Sequence, residues 1–448
     1  MPSAVPPAPT PRREVWHLAW PLILSNISVP LLGMVDTAVV GHLPEPHHLG
    51  AVALGAATFA AVYLVFTSIR MGTTGLTAQA VGAEDGAEAR ACLLRPLAVA
   101  VLLGLVLILA HPLIVEAALR GFAPTAAVGE ALAVYIGWRI LAAPAALAKF
   151  VLLGWLLGNH DTRSQLVILL VTNALNAASS VLFVIGFGWG VAGVASATVI
   201  AEYAGFALAL ALCARRWRRL PGAFAAAVLL ARAPFVRLFA VNGNLILRSI
   251  LMEATFLGFA AFSARQGEVL LAANAVLNNL LMLQAYALDG FAFATEALVG
   301  RAVGRRSQVE LDRSLHAAAW WSGGFALLIA LSYATGGLVA IRLLTGIEAV
   351  RSAADLFLVY AAIVPLVGVW AYLFDGLFAG ATQTRELRNG TAVATSVFYA
   401  VALPLVPLLG NHGLWLALLA FLAARSLWFW LRFRRLRASA RFLLAGAA

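Results

Sequence analysis

The chain has 448 residues, 62% of them hydrophobic and 11% charged, with a formal net charge of +11. Soluble domains carry roughly 25% charged and about 45–50% apolar residues, so this composition excludes a water-soluble globular protein and indicates an integral membrane protein. The two cysteines, Cys92 and Cys213, form no CxxC, and the eight histidines show no HExxH spacing, which leaves neither a disulfide framework nor a metal motif.

Residues 1–13, MPSAVPPAPTPRR, are proline-rich and expected to form a disordered cytoplasmic tail. The apolar run from Trp16 to Val40 is too long for the core of a cleavable signal peptide and is closed by no A-x-A site, so it reads as a retained first span. A bilayer core needs about 20 apolar residues per helix. Twelve such runs lie near 15–41, 48–79, 92–116, 130–157, 164–186, 190–213, 235–263, 270–300, 316–341, 353–380, 389–410 and 413–433. The expected organisation is an N-lobe over 14–213, a cytoplasmic linker over 214–234, a C-lobe over 235–434 and a basic cytoplasmic tail over 435–448.

Ionisable residues inside spans are rare and are functional candidates by default. In chain order they are Asp36, Arg70, Arg139, Lys149, Glu202, Arg248, Glu253, Asp289, Glu296, Asp375 and Arg425. Glu296, Asp375 and Arg425 lie towards cytoplasmic ends, where they can pair across helices or reach the interface. Arg70 and Asp289 occupy the matching second helices of the two halves and read as structural. Asp36 stands apart. It sits about five residues, roughly 8 Å, below the outer end of span 1, with no basic residue of its own helix in reach and a polar stripe of Ser25, Asn26 and Thr37 beside it. Burial disfavours a charged carboxylate, so Asp36 is a candidate proton site or ligand for a small cation. The alternative is a carboxylate satisfied by Arg or Lys from another helix. Glu253, at comparable depth in span 7, is a second candidate coupling acid.

With the N-terminus inside, 22 of the 31 basic residues fall in cytoplasmic segments, 4 in outer loops and 5 within spans. This asymmetry places both termini in the cytoplasm. It explains the basicity by topology rather than by a nucleic-acid partner, with anionic lipid as a secondary attraction.

An internal repeat organises the chain. GWLLGNHDTR (154–163) matches GLFAGATQTR (376–385), and TTGLTAQAVG (73–82) matches TEALVGRAVG (295–304), all at an offset of 222. Each half holds six spans and enters the membrane in the same sense, a parallel repeat known from secondary transporters. GWGVAG (188–193) fits a dinucleotide fingerprint but follows an apolar helix, so it reads as a hairpin between spans. No P-loop is present and Lys149 is the only lysine. No nucleophile or metal cluster suggests an enzyme, no cofactor is implied, and a monomer is expected.

The segments WPLILSNISVPLLGMVDTAVVGHL, RMGTTGLTAQAVGA, VLLGWLLG, TVIAEY, AYALDGFAFATEALVG and LVGVWAYLFDGLFAGAT resemble the DNA-damage-inducible protein F (DinF) branch of the multidrug and toxic compound extrusion (MATE) transporters, over roughly 14 to 430. The resemblance implies an all-α polytopic membrane protein of twelve transmembrane helices in two pseudo-twofold-related six-helix bundles around a V-shaped cavity. It implies inner-membrane export of small organic, cationic or amphipathic compounds in exchange for H⁺ or Na⁺. Asp36 matches the first-helix acid of that branch and Pro21 the proline at which the helix bends. The surrounding hydrogen-bond network would map to Tyr135, Asn176 and Thr198. Many relatives carry a second acid four residues after the asparagine; Ser180 stands there instead, so the coupling stoichiometry is open. Other candidates for the cavity or lobes are Arg70, Glu202, Arg248, Asp289 and Asp375. The rival reading is a lipid-linked precursor flippase of the same superfamily, which would need several cations for phosphate, for which Arg70, Arg139, Lys149 and Arg248 are available.

Overall fold

The computed structural model describes residues 10–41, 45–222, 226–438 and 442–443. Of the expected N-terminal tail, residues 1–9 lie outside the described residues, as do 223–225 of the linker and 439–441 and 444–448 of the basic tail. Arg12 and Arg13, assigned to the tail, are already helical. The helices are α1 (Pro11–Gly41), α2 (Pro46–Gly82), α3 (Gly86–Leu109), α4 (His111–Phe122), α5 (Ala126–Arg139), α6 (Ala143–Gly158), α7 (Thr162–Val181), α8 (Gly190–Trp217), α9 (Ala226–Leu229), α10 (Arg232–Ala264), α11 (Glu268–Gly304), α12 (Gln308–Leu344), α13 (Glu348–Gly380), α14 (Thr384–Leu409) and α15 (Asn411–Ala438). A 3-10 turn at Ile140–Ala142 joins α5 to α6, and a π-helical turn, Leu182–Gly186, closes α7. The fold is all-α, with no strand among the described residues.

Counting α5 and α6 as one, 11 stretches are long and apolar enough to cross a membrane, and α1 with its 31 residues has the length to do so. They correspond to the twelve expected runs. The third run departs from expectation: α3 stops at Leu109 and α4 begins anew at His111. A proline in the first turn of α4 has no N–H to continue the ladder from α3, while its fixed φ suits a helix start.

Two compact units emerge, one of Leu24–Asn242 and one of Met1–Ile23 with Gly243–Ala448. The expected division lay between 213 and 235. The difference lies in the first helix of each half. Trp16 of α1 stacks on Trp321 at 4.7 Å, and Glu14 pairs with Arg301 at 2.7 Å. Conversely, Arg237 of α10 donates to Gln79 Oε1 at 2.7 Å. The opening turns of α1 therefore pack with the second half and those of α10 with the first.

The duplication is visible in local geometry. Asp85 caps α3 by accepting from the Glu88 N–H at 2.9 Å, and Ser307 caps α12 by accepting from Glu310 at 3.2 Å. The turns before these helices pass through left-handed residues, Glu84 (φ 59) and Arg306 (φ 53); those after α6 and α13 use His160 (φ 62) and Thr382 (φ 54). Gly154 and Gly158 press α6 onto the Arg70 and Thr74 carbonyls of α2, while Gly376 and Gly380 press α13 onto those of Ala292 and Glu296. All these pairs share the 222-residue offset. Small residues let helix backbones approach closely in a lipid setting.

Apolar cores fill each unit. In the first, Phe59, Leu132, Ile136 and Val194 form one cluster and Leu147, Val151, Trp155 and Ile168 another. In the second, Leu277, Phe357, Phe398, Trp415 and Phe421 pack together.

Candidate functional site around Asp36

Within the first unit, α1 and α7 run side by side in the same direction. Asn173 Nδ2 donates to Ser28 Oγ at 2.9 Å, and Ser180 Oγ lies 3.2 Å from Asp36 Oδ1. Ser28 and Asp36 are eight residues apart and Asn173 and Ser180 seven, so each pair shares one helix face. Asp36 is half-buried. Among the described residues no Lys or Arg nitrogen lies within 4.0 Å of its carboxylate. The side chain of Thr37, part of the expected polar stripe, lies outside the described residues; Ser25 is buried and Asn26 half-buried.

A chain of hydrogen bonds leads away from Asp36. Ser180 Oγ is also 3.3 Å from Asn176 Oδ1, Asn176 Nδ2 donates to Thr198 Oγ1 at 2.9 Å, and Thr198 Oγ1 donates to the Val194 carbonyl at 3.1 Å. Asn176 and Ser180 are essentially inaccessible. A hydroxyl has one hydrogen, so Ser180 can donate to Asp36 or to Asn176 but not to both.

From α5, Tyr135 and Arg139 complete the surroundings. Tyr135 is buried, its ring edge-on to Phe59 at 6.4 Å, and it lies in electrostatic reach of both Asp36 and Arg139. The Arg139 guanidinium sits over the Phe59 ring at 5.2 Å and interacts with Asp36, Tyr63 and Glu202 through space. Glu202 pairs with Lys149 at 2.7 Å. Sequence reasoning did not single out Tyr63, nor did it connect Arg139 to Asp36. The i, i+3, i+7 polar face of Asn173, Asn176 and Ser180 was the signal that could have predicted the partner face.

Several expected residues stand elsewhere. Pro21 is buried in α1 but belongs to the other unit. The boundary between units falls two residues beyond it, at Ile23. In the second unit Asp375 accepts from Arg248 at 2.5 Å and also from Arg425. Asp289 lies in electrostatic reach of Tyr372, beside that triad. Glu253 is exposed on α10 and joins none of these groups. Arg70 lends its backbone carbonyl to Thr74 Oγ1 at 2.9 Å. Glu45, His47 and His48, before and within the first turn of α2, bring one ligand atom each within 4.8 Å of one another, on the surface rather than in the Asp36 cluster.

The MatE family model matches residues 21–182 and 245–408, one match in each half. DNA damage-inducible protein F of Escherichia coli (strain K12) is 44% identical over 416 residues, covering 93% of this chain and 90% of the relative. The chain belongs to the MatE family. It is a membrane transporter, not an enzyme. A probable multidrug resistance protein NorM from Xanthomonas axonopodis pv. citri is 28% identical over 97% of both chains. Among solved structures, the MATE transporter VcmN of Vibrio cholerae superposes with a TM-score of 0.86 at 18% identity, over 97% of this chain and 98% of that one. A MOP superfamily transporter from Pyrococcus furiosus gives 0.88 at 18%, over 97% of each. At that identity the likeness concerns the MATE fold of twelve helices in two lobes.

Proposed function

We propose that this MATE transporter exports organic cationic or amphipathic compounds across the inner membrane by H⁺ antiport, with Asp36 as the proton site and both termini in the cytoplasm. One observation carries the reading. The Asp36 carboxylate contacts a neutral hydroxyl, Ser180, and no fixed cation lies within ion-pair distance of it among the described residues. Such a group can gain a proton without losing a salt bridge.

Proton uptake then has a defined consequence. An ionised Asp36 accepts from Ser180. A protonated Asp36 donates to Ser180 Oγ, which frees the Ser180 hydrogen for Asn176 Oδ1. Asn176 donates to Thr198 of α8 in either state, so what changes is the bond gained at its Oδ1, which ties α7 more firmly into the network when Asp36 is protonated. This change alters how α1 is held against α7, and Pro21 supplies a point where α1 lacks a ladder bond. Proton and substrate compete through the two arrangements, since a ligand shifts an equilibrium only by its differential affinity. A serine at 180 leaves Asp36 of α1 as the carboxylate in this hydrogen-bonded chain, which supports one proton taken up here per cycle. Glu253 remains a candidate second coupling acid, acting separately from this network.

The flippase reading is less well supported. Lys149 is paired with Glu202 and Arg248 with Asp375, so two of the four cations it would need for phosphate are already compensated.

The test uses purified protein, functional as a monomer, in proteoliposomes with an imposed pH gradient and a fluorescent organic cation. Wild-type transport collapses with a protonophore and is unchanged when choline replaces Na⁺; Asp36→Asn inserts normally but transports nothing. Full activity in Asp36→Asn, or a strict need for Na⁺, would overturn the reading.

A further inference from the structure

Outside the Asp36 region, the second unit carries a groove of about 1030 Å³ between α12, α13 and α15. Its body is apolar, with Trp370, Leu427 and Trp430 each about half exposed along it. One end is basic, with His316, Arg434 and Arg437. A smaller hollow continues from His316 to Arg12 and Arg313.

The two arginines of the groove differ. Arg437 is paired with Asp312 at 2.8 Å. Arg434 stacks its guanidinium over Trp430 at 4.8 Å and has no carboxylate within 4.0 Å among the described residues. Stacking fixes the plane of the guanidinium while leaving its N–H donors available. Tryptophans crowd this end of the unit: Trp16 stacks on Trp321, and Trp320 lies under Arg12 at 4.5 Å. Tryptophan belts mark the level of lipid headgroups.

We propose that this groove binds one anionic phospholipid, its phosphate on Arg434 and the Arg12–Arg313 side, an acyl chain along Trp370 and Leu427. Charge complementarity selects the occupant: an apolar trough ending in a guanidinium with no carboxylate partner among the described residues, at headgroup level, fits a chain joined to a phosphate. A neutral hydrocarbon leaves the basic end unused, and a free anion leaves the trough unused. The site is independent of the proton network, which lies in the other unit.

The experiment is native mass spectrometry of the delipidated full chain, titrated with phosphatidylglycerol or phosphatidylcholine of identical acyl chains. Wild type should retain one phosphatidylglycerol about fivefold more than phosphatidylcholine, as one basic residue facing anionic lipid contributes about 1 kcal/mol. Arg434→Gln should reduce retention to the phosphatidylcholine level, and Leu427→Trp, which fills the trough, should weaken both lipids. Arg215→Gln with Arg216→Gln, on the first unit, should change nothing. Equal retention of the two lipids, an unaltered Arg434→Gln, an equal loss in the Arg215/Arg216 control, or full displacement by inorganic phosphate would overturn the proposal. Arg434 and Leu427 are exposed, so an unchanged elution volume verifies that each variant is folded.

Discussion

The two halves share their packing and not their chemistry. Shifted by 222 residues, Tyr135 of the first half becomes Phe357, Asn176 becomes Phe398 and Ser180 becomes Ala402. These three second-half residues lie inside one apolar cluster, where the first half has a hydrogen-bonded chain. In the reverse direction, Asp375 corresponds to Leu153 and Asp289 to Thr67. The glycines that let α6 meet α2 and α13 meet α11, the side-chain caps of α3 and α12 and the left-handed turns survive in both copies. Backbone approach tolerates little change, because an added Cβ would strike a carbonyl. Polar side chains in a bundle can be exchanged for apolar ones of similar shape if both partners change. Duplication thus leaves a common scaffold on which one half carries a carboxylate that can change its proton and the other a carboxylate held by two arginines.

The sharpest way to break this contrast is to neutralise one acid in each unit. Asp36→Asn should lose proton-driven transport altogether yet keep thermal stability within about 1 kcal/mol, since no ion pair is removed. Asp375→Asn leaves the guanidiniums of Arg248 and Arg425 buried without a counter-charge, at a cost of about 3–5 kcal/mol, read as a lowered melting temperature in detergent. Equal stability of the two variants would erase the distinction between a switchable and a fixed carboxylate.

The shared scaffold predicts matched penalties. Gly154→Ala and Gly376→Ala each press a methyl into a facing carbonyl and should each cost about 1–3 kcal/mol. A tolerated change in one half alone would show that the crossings are not equivalent. Ser180→Ala removes the hydroxyl donor to Asp36; a hydrogen bond to a charged group is worth about 1.5–3 kcal/mol, so transport should fall several-fold and its pH profile should move. Smallest are the caps: Asp85→Ala and Ser307→Ala should each cost about 1 kcal/mol, measurable as parallel shifts in thermal unfolding.

What the chain order alone determined follows from quantities that add along a sequence. Sparse charge and twelve apolar runs dictated a helical membrane protein, because an unpaired backbone group in lipid is so costly that apolar segments must close their own hydrogen bonds. Two motifs at one offset revealed the duplication, and the isolation of Asp36 in span 1 marked it as the acid to watch. The tertiary structure alone decided which charges meet. Asp375 takes partners 127 and 50 residues away, Lys149 finds Glu202, Arg139 faces Asp36 from another helix, and the first turns of α1 and α10 each join the opposite half. Burial energies depend on what lies within a few ångströms, and no local pattern records which distant helix will bring it there.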